Sequence, residues 1–239
     1  MAAIACTLPA SWAAQAGTDA REEARIAYAR PHTAPSTGEG QTRRALAPQP
    51  GPQVRALADW VAQSGDHERR AFLVVDKRNA TVFVFDADAR LLGRSPVLLG
   101  AARGDDSVPG IGERPIRDIR PEERTTPAGR FVGESGRNLQ GEDIVWVDYD
   151  AAVSMHRVRA TNPRERRLER LATPTPADNR ISYGCINVPA RFFDDYVSPL
   201  FTDEQRTIVY VLPETRDVHA VFPRLAQSGF TQAVQRPTR

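Results

Sequence analysis

Short runs of β-branched and aromatic residues, separated by polar turns, occupy most of the middle of the chain. Phe72–Val75 and Thr81–Phe85 are two such runs, and Asp76–Asn79 between them has the composition of a turn. The same pattern predicts further strands at Leu91–Leu92, Val97–Leu99, Arg130–Val132, Ile144–Val147, Ala152–His156 and Thr207–Leu212. Many short strands and little helical periodicity predict a mainly β fold with a few short helices.

Helical patterns are confined to three short segments. Apolar positions recur at helical spacing within Val54–Ala62, ahead of the first strand. Proline favours the first turn of a helix, which predicts helices at Pro163–Leu171, capped by Asn162, and at Pro189–Val197. Gly100–Thr126 is instead dense in glycine, proline, arginine and aspartate, and long loops of this kind in compact domains are commonly functional or mobile.

The ends of the chain differ in composition from the middle. Residues 1–16 are small, apolar and uncharged, and end in an Ala-x-Ala sequence, which predicts a signal peptide that begins upstream of Met1; the alternative is an alanine-rich disordered start. Residues 17–68 are predicted to be a flexible linker containing the short helix, because most of the segment has too little apolar content to pack. The folded domain is predicted at 69–213 and a C-terminal tail at 214–239. Apolar residues of the tail either pack as a helix or remain loose: Val218, Val221, Phe222 and Leu225.

Charge and cysteine content exclude several classes of protein. The 32 basic and 30 acidic side chains give a formal charge of +2, which provides no strong field for nucleic acid or another polyanion. Two cysteines exclude a disulfide-rich scaffold and an all-cysteine zinc or iron–sulfur site. After the leader, no stretch has the roughly 18 apolar residues of a membrane helix. Lys77 is the sole lysine, so 31 of the basic residues are arginine.

The segment Ser182–Val188, which reads Ser-Tyr-Gly-Cys-Ile-Asn-Val, is the most informative part of the sequence. Gly184 allows a substrate carbonyl to approach the backbone, and amides around Cys185 can face a developing negative charge. A thiol needs a nearby base to act as a nucleophile at neutral pH. The alternative is a buried cysteine that acts as a small hydrophobic residue.

Histidine is the expected base, and four are present: His32, His67, His156 and His219. The first lies in the predicted linker, the second in a polar turn, and the last follows the final strand. His156 ends a predicted strand, which is a rigid position for a base. Taken alone, it is equally consistent with a structural imidazole.

Several ordered blocks give this chain a resemblance to the L,D-transpeptidase catalytic-domain family (YkuD-type). The blocks are the strand pair Val74–Phe85, the segment Arg94–Val97, the block Thr126–Phe131 (Thr-Pro-Ala-Gly-Arg-Phe), His156, and Ser182–Asn187. They span roughly Phe72 to Leu212. The resemblance implies a β-sandwich-like catalytic fold and an enzyme that modifies peptidoglycan.

Carried over residue by residue, the resemblance implies roles for the matched positions. Cys185 is the nucleophile and His156 its general base, Gly184 and Cys185 supply oxyanion-hole amides, and Ser182 belongs to the motif turn. The implied substrate is a peptidoglycan tetrapeptide stem, whose L–D amide is exchanged for a cysteine thioester that an amine resolves. The resemblance also implies a periplasmic or envelope location and chemistry without a metal or organic cofactor. It further implies that carbapenems acylate Cys185.

Two departures from the family pattern concern substrate recognition. Tyr183 stands where the family usually has a second histidine, and a phenol does not titrate near neutrality. The interval between His156 and Cys185 is longer than usual and rich in arginine. Its arginines either recognise stem-peptide carboxylates or form a solvated face paired with Glu165 and Glu169. Tyr183, Asn187 and Arg180 are the predicted substrate-binding residues.

Three functions therefore remain open on sequence grounds. The first is an exported L,D-transpeptidase. The second is an L,D-carboxypeptidase or amidase on the same scaffold, and the third is a catalytically silent wall-binding module. Removal of the leader would take Cys6 with it and leave Cys185 as a single thiol in an oxidising compartment, where an unpaired structural cysteine is hard to explain.

Overall fold

A computed structural model describes residues 48–201 and 206–227. The predicted signal peptide, Cys6 and most of the predicted linker lie outside these ranges. Within them, no helix has both the length and the apolar character needed to cross a membrane.

The described part of the chain is mainly β, as predicted. Its strands are β1 (Phe72–Asp76), β2 (Thr81–Phe85), β3 (Leu91–Pro96), β4 (Leu99–Gly100), β5 (Gly129–Arg137), β6 (Asp143–Asp148), β7 (Val153–Arg157), β8 (Arg180–Ser182), β9 (Ile186–Val188) and β10 (Thr207–Leu212). Eight of them form one mixed sheet in the order β3-β2-β1-β10-β5-β6-β7-β9, and β4 pairs with β8. The pairs β1–β10 and β7–β9 are parallel.

Short helices connect and cover the strands. They are α1 (Pro52–Ser64), α2 (Arg167–Ala172), α3 (Ala190–Phe192), α4 (Val218–Val221) and α5 (Pro223–Gln227). A π-helical turn, Phe193–Val197, continues α3. Single 3-10 turns occur at Ile111–Glu113, Ile116–Asp118, Pro121–Glu123, Pro163–Glu165, Pro176–Asn179 and Ser198–Leu200.

The strands β1, β2 and β10 are buried on both faces, which explains why their sequences are continuously apolar. One face, including Phe72 and Tyr210, packs against α1 and the C-terminal helices. The other face, including Leu73 and Val209, shares a core with residues of β6, β7 and β9 such as Met155. The two halves of the sheet therefore pack against each other across one core, consistent with the sandwich-like expectation.

The long strand β5 joins these two halves. Residues 129–133 pair with β10, and residues 134–137 pair with β6. Gly133 allows the Phe201 ring to pack closely, since a Cβ there would lie 2.5 Å from a ring carbon. The sheet therefore turns within β5, and this turn brings β7 and β9 over the shared core.

The packed unit is longer than the 69–213 domain expected from the strand pattern. Helix α1 buries Val54, Leu57 and Val61 against the sheet, and Gly65 ends it with φ +71°. After β10, Phe222 is buried in the same cluster. Helical spacing is visible in both segments of the sequence, but their packing on the sheet is not, because a short amphipathic helix acquires its stability from the surface it packs on.

The predicted helix at Pro163–Leu171 is divided into two pieces. Asn162 caps the first turn as expected, because its side chain accepts a hydrogen bond from the Arg164 amide at 3.1 Å. Arg166 then adopts a left-handed conformation with φ +50°, and α2 starts at the next residue. The break allows the side chain of Arg167 to reach β9, as described below.

A buried group of charges fixes the start of the long loop between β4 and β5. Lys77, which follows β1, is 0% exposed, and its Nζ donates to Gly104 O at 2.6 Å, Asp105 Oδ1 at 2.7 Å and Thr126 O at 2.7 Å. Asp105 also accepts bonds from the segment after β10, including the Glu214 amide at 2.8 Å. The loop, β1 and the end of β10 are thereby tied together.

Candidate active site

Cys185 lies in a tight turn between β8 and β9 and is partly exposed. Ser182 organises this turn: its Oγ donates to Cys185 O at 2.6 Å and accepts from the Gly184 amide at 3.2 Å. Ser182 is therefore a turn-forming residue, buried beneath the nucleophile rather than beside it.

The hydrogen bond of the Gly184 amide corrects the expectation that this amide forms part of an oxyanion hole. The amide already donates to Ser182 Oγ and is not available to a substrate oxygen in this arrangement. The Cys185 amide has no bond within the described residues and is the better candidate for that role.

Thr126 connects the Thr-Pro-Ala-Gly block to the nucleophile turn. Its Oγ1 donates to Gly184 O at 2.8 Å and accepts from the Gly100 amide at 2.9 Å, and Thr126 itself is fully buried. The carbonyl of Thr126 also binds Lys77. The turn that carries Cys185 is thus linked to the buried charges at the start of the loop.

Gly184 is required at its position for two reasons, which lead to a prediction. Its φ is +130°, and an added Cβ would lie 2.8 Å from Thr125 O. We expect Gly184→Ala to lower the free energy of unfolding by roughly 1–3 kcal/mol and to slow alkylation of Cys185, since the turn must shift. Denaturant unfolding and thiol alkylation measure the two effects.

Gly110 offers a matched control for that substitution. Its φ is +71°, but a Cβ there meets nothing within 4 Å. Gly110→Ala therefore adds backbone strain without a clash, and Cys185 should alkylate at the wild-type rate. Equal effects of the two substitutions would show that the contact with Thr125 is unimportant.

The strands β6, β7 and β9 bring the reactive groups to one sheet face. His156 pairs with Asn187 and Met155 with Ile186, so His156 and Asn187 lie on the face opposite the core. Ser154 shares this face with His156 because side chains alternate along a strand. The Cys185 Sγ lies 3.6 Å from Ser154 Oγ and 3.8 Å from Ala152 O.

The surroundings of Cys185 lower the pKa of its thiol. Burial raises this pKa, but the neighbouring His156 and Ser154 side chains lower it to about 7. A lowered pKa is the property that a candidate nucleophilic cysteine requires.

The imidazole of His156 is held at both nitrogens. Nδ1 lies 2.8 Å from Arg157 O and Nε2 lies 3.0 Å from Asn187 Nδ2. A carbonyl only accepts, so Nδ1 carries the proton and the lone pair of Nε2 accepts from Asn187 Nδ2. Nε2 is therefore the unprotonated ring nitrogen, and it can take a proton only when Asn187 releases this lone pair.

Asn187, predicted from the sequence to bind substrate, has its side-chain polar atoms bonded within the protein. It is 0% exposed, its Nδ2 faces His156, and its Oδ1 accepts from Arg167 at 2.7 Å. Pairing of β9 with β7 covers the side chain, and a sequence pattern contains no information about that pairing. Asn187 supports the base.

Arg180 is also placed differently from its prediction as a substrate ligand. Its NH2 donates to Glu214 Oε2 at 2.6 Å and to Lys77 O at 2.8 Å, and its side chain is 9% exposed. The guanidinium belongs to the buried charge group. A stem-peptide carboxylate cannot reach it while this pairing holds.

Tyr183 remains the predicted substrate-binding residue that faces solvent. It is 39% exposed, and the Arg124 guanidinium stacks over its ring at 3.9 Å from the ring centre. An aromatic ring and a cation therefore flank the approach to Cys185, where the family pattern has a second histidine.

Most arginines between His156 and Cys185 are paired within the protein. Arg166 pairs with Glu169 and Arg167 with Glu165, which favours the solvated-face interpretation over a carboxylate-binding lid. Arg157 pairs with Asp194 and lies over the Phe193 ring. Arg159 pairs with Glu142, and Arg170 donates to Asp178 O among other contacts.

Sequence reasoning missed three residues of the site. Ser154 had a usable signal, because it precedes His156 by two positions on a predicted strand and so shares its face. Thr126 was part of a matched block but had no role assigned. Arg167 had no distinguishing signal among its neighbouring arginines. Within the described residues, no cluster of three or more His, Cys, Asp or Glu side chains could hold a metal ion.

Comparisons with known proteins return matches only among solved structures, at low identity and low TM-score. No protein-family model matches the chain, and no curated protein matches it. Among solved structures, the L,D-transpeptidase catalytic domain of E. faecium is 16% identical, with a TM-score of 0.35, covering 60% of this chain and 98% of that one. An L,D-transpeptidase in complex with imipenem is 16% identical, with a TM-score of 0.36, and coverage is 59% of this chain and 58% of that one.

A third match is an L,D-transpeptidase from Mycobacterium smegmatis, at 16% identity and a TM-score of 0.31, with the same coverage of 59% and 58%. This chain therefore spans less than two thirds of the length of the last two proteins. All three belong to the family that the sequence blocks resemble.

Proposed function

We propose that this protein is an exported cysteine L,D-transpeptidase that acts on peptidoglycan stem peptides in the periplasm or cell envelope. The observation that carries the proposal is the Cys185 thiol, held on a glycine turn beside His156 with its pKa lowered to about 7. The ordered sequence blocks around this pair supply the substrate class by resemblance.

The proposed reaction has two steps that use the same groups. Cys185 Sγ attacks the carbonyl carbon of the L–D amide, and its proton passes through His156 Nε2 to the departing amine as the C–N bond breaks. An acceptor amine then attacks the thioester carbonyl and gives a proton to Nε2 as the C–S bond breaks, and Nε2 returns this proton to the Cys185 thiolate. The energy of the broken amide is retained in the thioester, so the transfer requires no nucleotide, metal or organic cofactor.

The acceptor distinguishes this proposal from its nearest alternative. A second stem peptide, a protein amine or a free D-amino acid gives transpeptidation, whereas water gives L,D-carboxypeptidase or amidase activity on the same scaffold. The lowered thiol pKa argues against the third alternative, a silent wall-binding module, because a binding module has no use for a thiolate.

Purified tetrapeptide muropeptides provide the test. With the full chain, we expect dimers with a 3–3 linkage by mass spectrometry, and an added mass on Cys185 after incubation with a carbapenem. Cys185→Ser should abolish both products, while Cys6→Ser, at the chain's other cysteine, should leave both unchanged. Tripeptides alone would indicate the hydrolytic alternative, and no product with retained sacculus binding would refute both enzyme functions.

A further inference from the structure

Arg167 reaches from the start of α2 to the base of the nucleophile. Its side chain is 17% exposed, its Nε donates to Glu165 Oε2, and its NH1 donates to Asn187 Oδ1 at 2.7 Å. Asn187 lies on β9 beside His156 and is fully buried. A residue of the arginine-rich segment is therefore two hydrogen bonds from the imidazole.

This contact fixes the orientation of the Asn187 amide. A guanidinium only donates hydrogen bonds, so the atom that faces Arg167 must be the carbonyl oxygen of the amide. The NH2 group must then face His156 Nε2, at 3.0 Å. Without the guanidinium, the amide could turn its oxygen toward a protonated Nε2.

The amide orientation in turn fixes the state of His156. An NH2 group aimed at Nε2 requires a lone pair there, which agrees with the Nδ1 proton donated to Arg157 O at 2.8 Å. The Nε2 lone pair is thus held by Asn187 in the resting arrangement, and the amide must release it before Nε2 can take the proton of Cys185.

We propose that Arg167 is a positioning residue for the Cys185–His156 pair and acts through the side-chain amide of Asn187. Arg167 keeps the NH2 end of the Asn187 amide toward Nε2 and so holds the imidazole of His156 in one orientation, with Nε2 unprotonated. The proposal can be tested by turnover of muropeptides and by alkylation of Cys185. Only the turnover measurement rests on the proposed function, because alkylation of the thiol needs no peptidoglycan.

The test is a double-mutant cycle between Arg167→Met and Asn187→Ala in the full chain. Arg167→Met should lower kcat on muropeptides by about ten- to a hundredfold with KM unchanged, since a small misplacement of a catalytic group has an effect of this size. It should also slow iodoacetamide alkylation of Cys185 at pH 7. In the Asn187→Ala background, Arg167→Met should cause no further loss of either rate.

Two further variants separate positioning from a structural role. Arg167→Lys retains a cationic donor and should recover part of the loss, although one ammonium cannot bind both Glu165 and Asn187 as the guanidinium does. Arg166→Met removes the neighbouring exposed arginine, paired with Glu169, and should leave both rates unchanged.

Each outcome either supports or overturns the positioning role of Arg167. Wild-type rates in Arg167→Met, or equal losses from Arg167→Met in both backgrounds, would overturn the proposal and leave Arg167 as a tie for the α2 segment. If the wild type does not process muropeptides but the alkylation cycle shows the expected non-additivity, the positioning role stands and the proposed function fails.

Discussion

Replacing His156 by alanine is expected to reduce acyl transfer by Cys185 by about 10²- to 10⁴-fold, the usual contribution of a general acid–base residue. Two effects combine. The thiol loses the acceptor for its proton, and its pKa rises from about 7, because burial then acts with only Ser154 to oppose it. Alkylation by iodoacetamide follows the thiolate, so its midpoint should lie near pH 7 in the wild type and at clearly higher pH in the variant.

His219 provides the matched control for this substitution. It lies on α4, which packs against the other face of the sheet, and His219→Ala should alter neither turnover nor the alkylation midpoint. An unchanged midpoint in His156→Ala would mean that the imidazole is not the group that activates Cys185.

Replacing Lys77 by methionine should have the largest effect on stability. The substitution keeps the length of the side chain but leaves the carboxylates of Asp105 and Glu214, both almost fully buried, without its charge. Loss of one partner from a buried ion pair costs about 3–5 kcal/mol, which corresponds to a fall of roughly 6–20 °C in Tm. Thermal and denaturant unfolding measure this loss of stability. As a control, Arg90→Met removes an exposed charge and should lower the free energy of unfolding by at most about 1 kcal/mol.

The effect of Lys77→Met should depend on pH in a defined direction. Burial raises the pKa of Asp105, but hydrogen bonds from Lys77, Thr215 and the backbone of 214 and 216 hold it well below the ordinary value. A lowered carboxyl pKa stabilises the fold above the unfolded-state pKa of about 3.9 and loses this contribution as the pH falls through the folded-state value. The stability gap between wild type and variant should therefore be full at pH 6–7 and shrink below about pH 4. A gap that is constant with pH would exclude Asp105 as its source.

The sequence was sufficient for the elements whose pattern is set locally. The buried strands β1, β2, β6, β7 and β10 follow from apolar runs, and the motif turn and strand end identify Cys185 and His156. Strands of two or three residues, such as β4 and β8, have too few positions to show a period. These strands form because they pair with segments far away in the chain. The hydrophobic periodicity of a short segment carries no information about such partners.

The site residues that the sequence misplaced share a single cause. Arg180 and Arg167 are chemically identical, yet one pairs with Glu214, 34 residues away, and the other with Asn187. Which carboxylate or amide an arginine meets is decided by tertiary packing. For the same reason Asn187, next but one to the nucleophile, is directed at His156 rather than at a substrate.

The burial of Lys77 also determines which amines this protein can offer to its own thioester. Lys77 is the only lysine in the sequence, and its Nζ is enclosed by Gly104, Asp105 and Thr126. The other cationic side chains of the sequence are guanidinium and imidazole groups, so it presents no lysine amine at the surface. Under the proposed function, an acyl-enzyme that encounters a second copy of itself therefore finds no lysine to acylate, and the activated group is kept for an external acceptor.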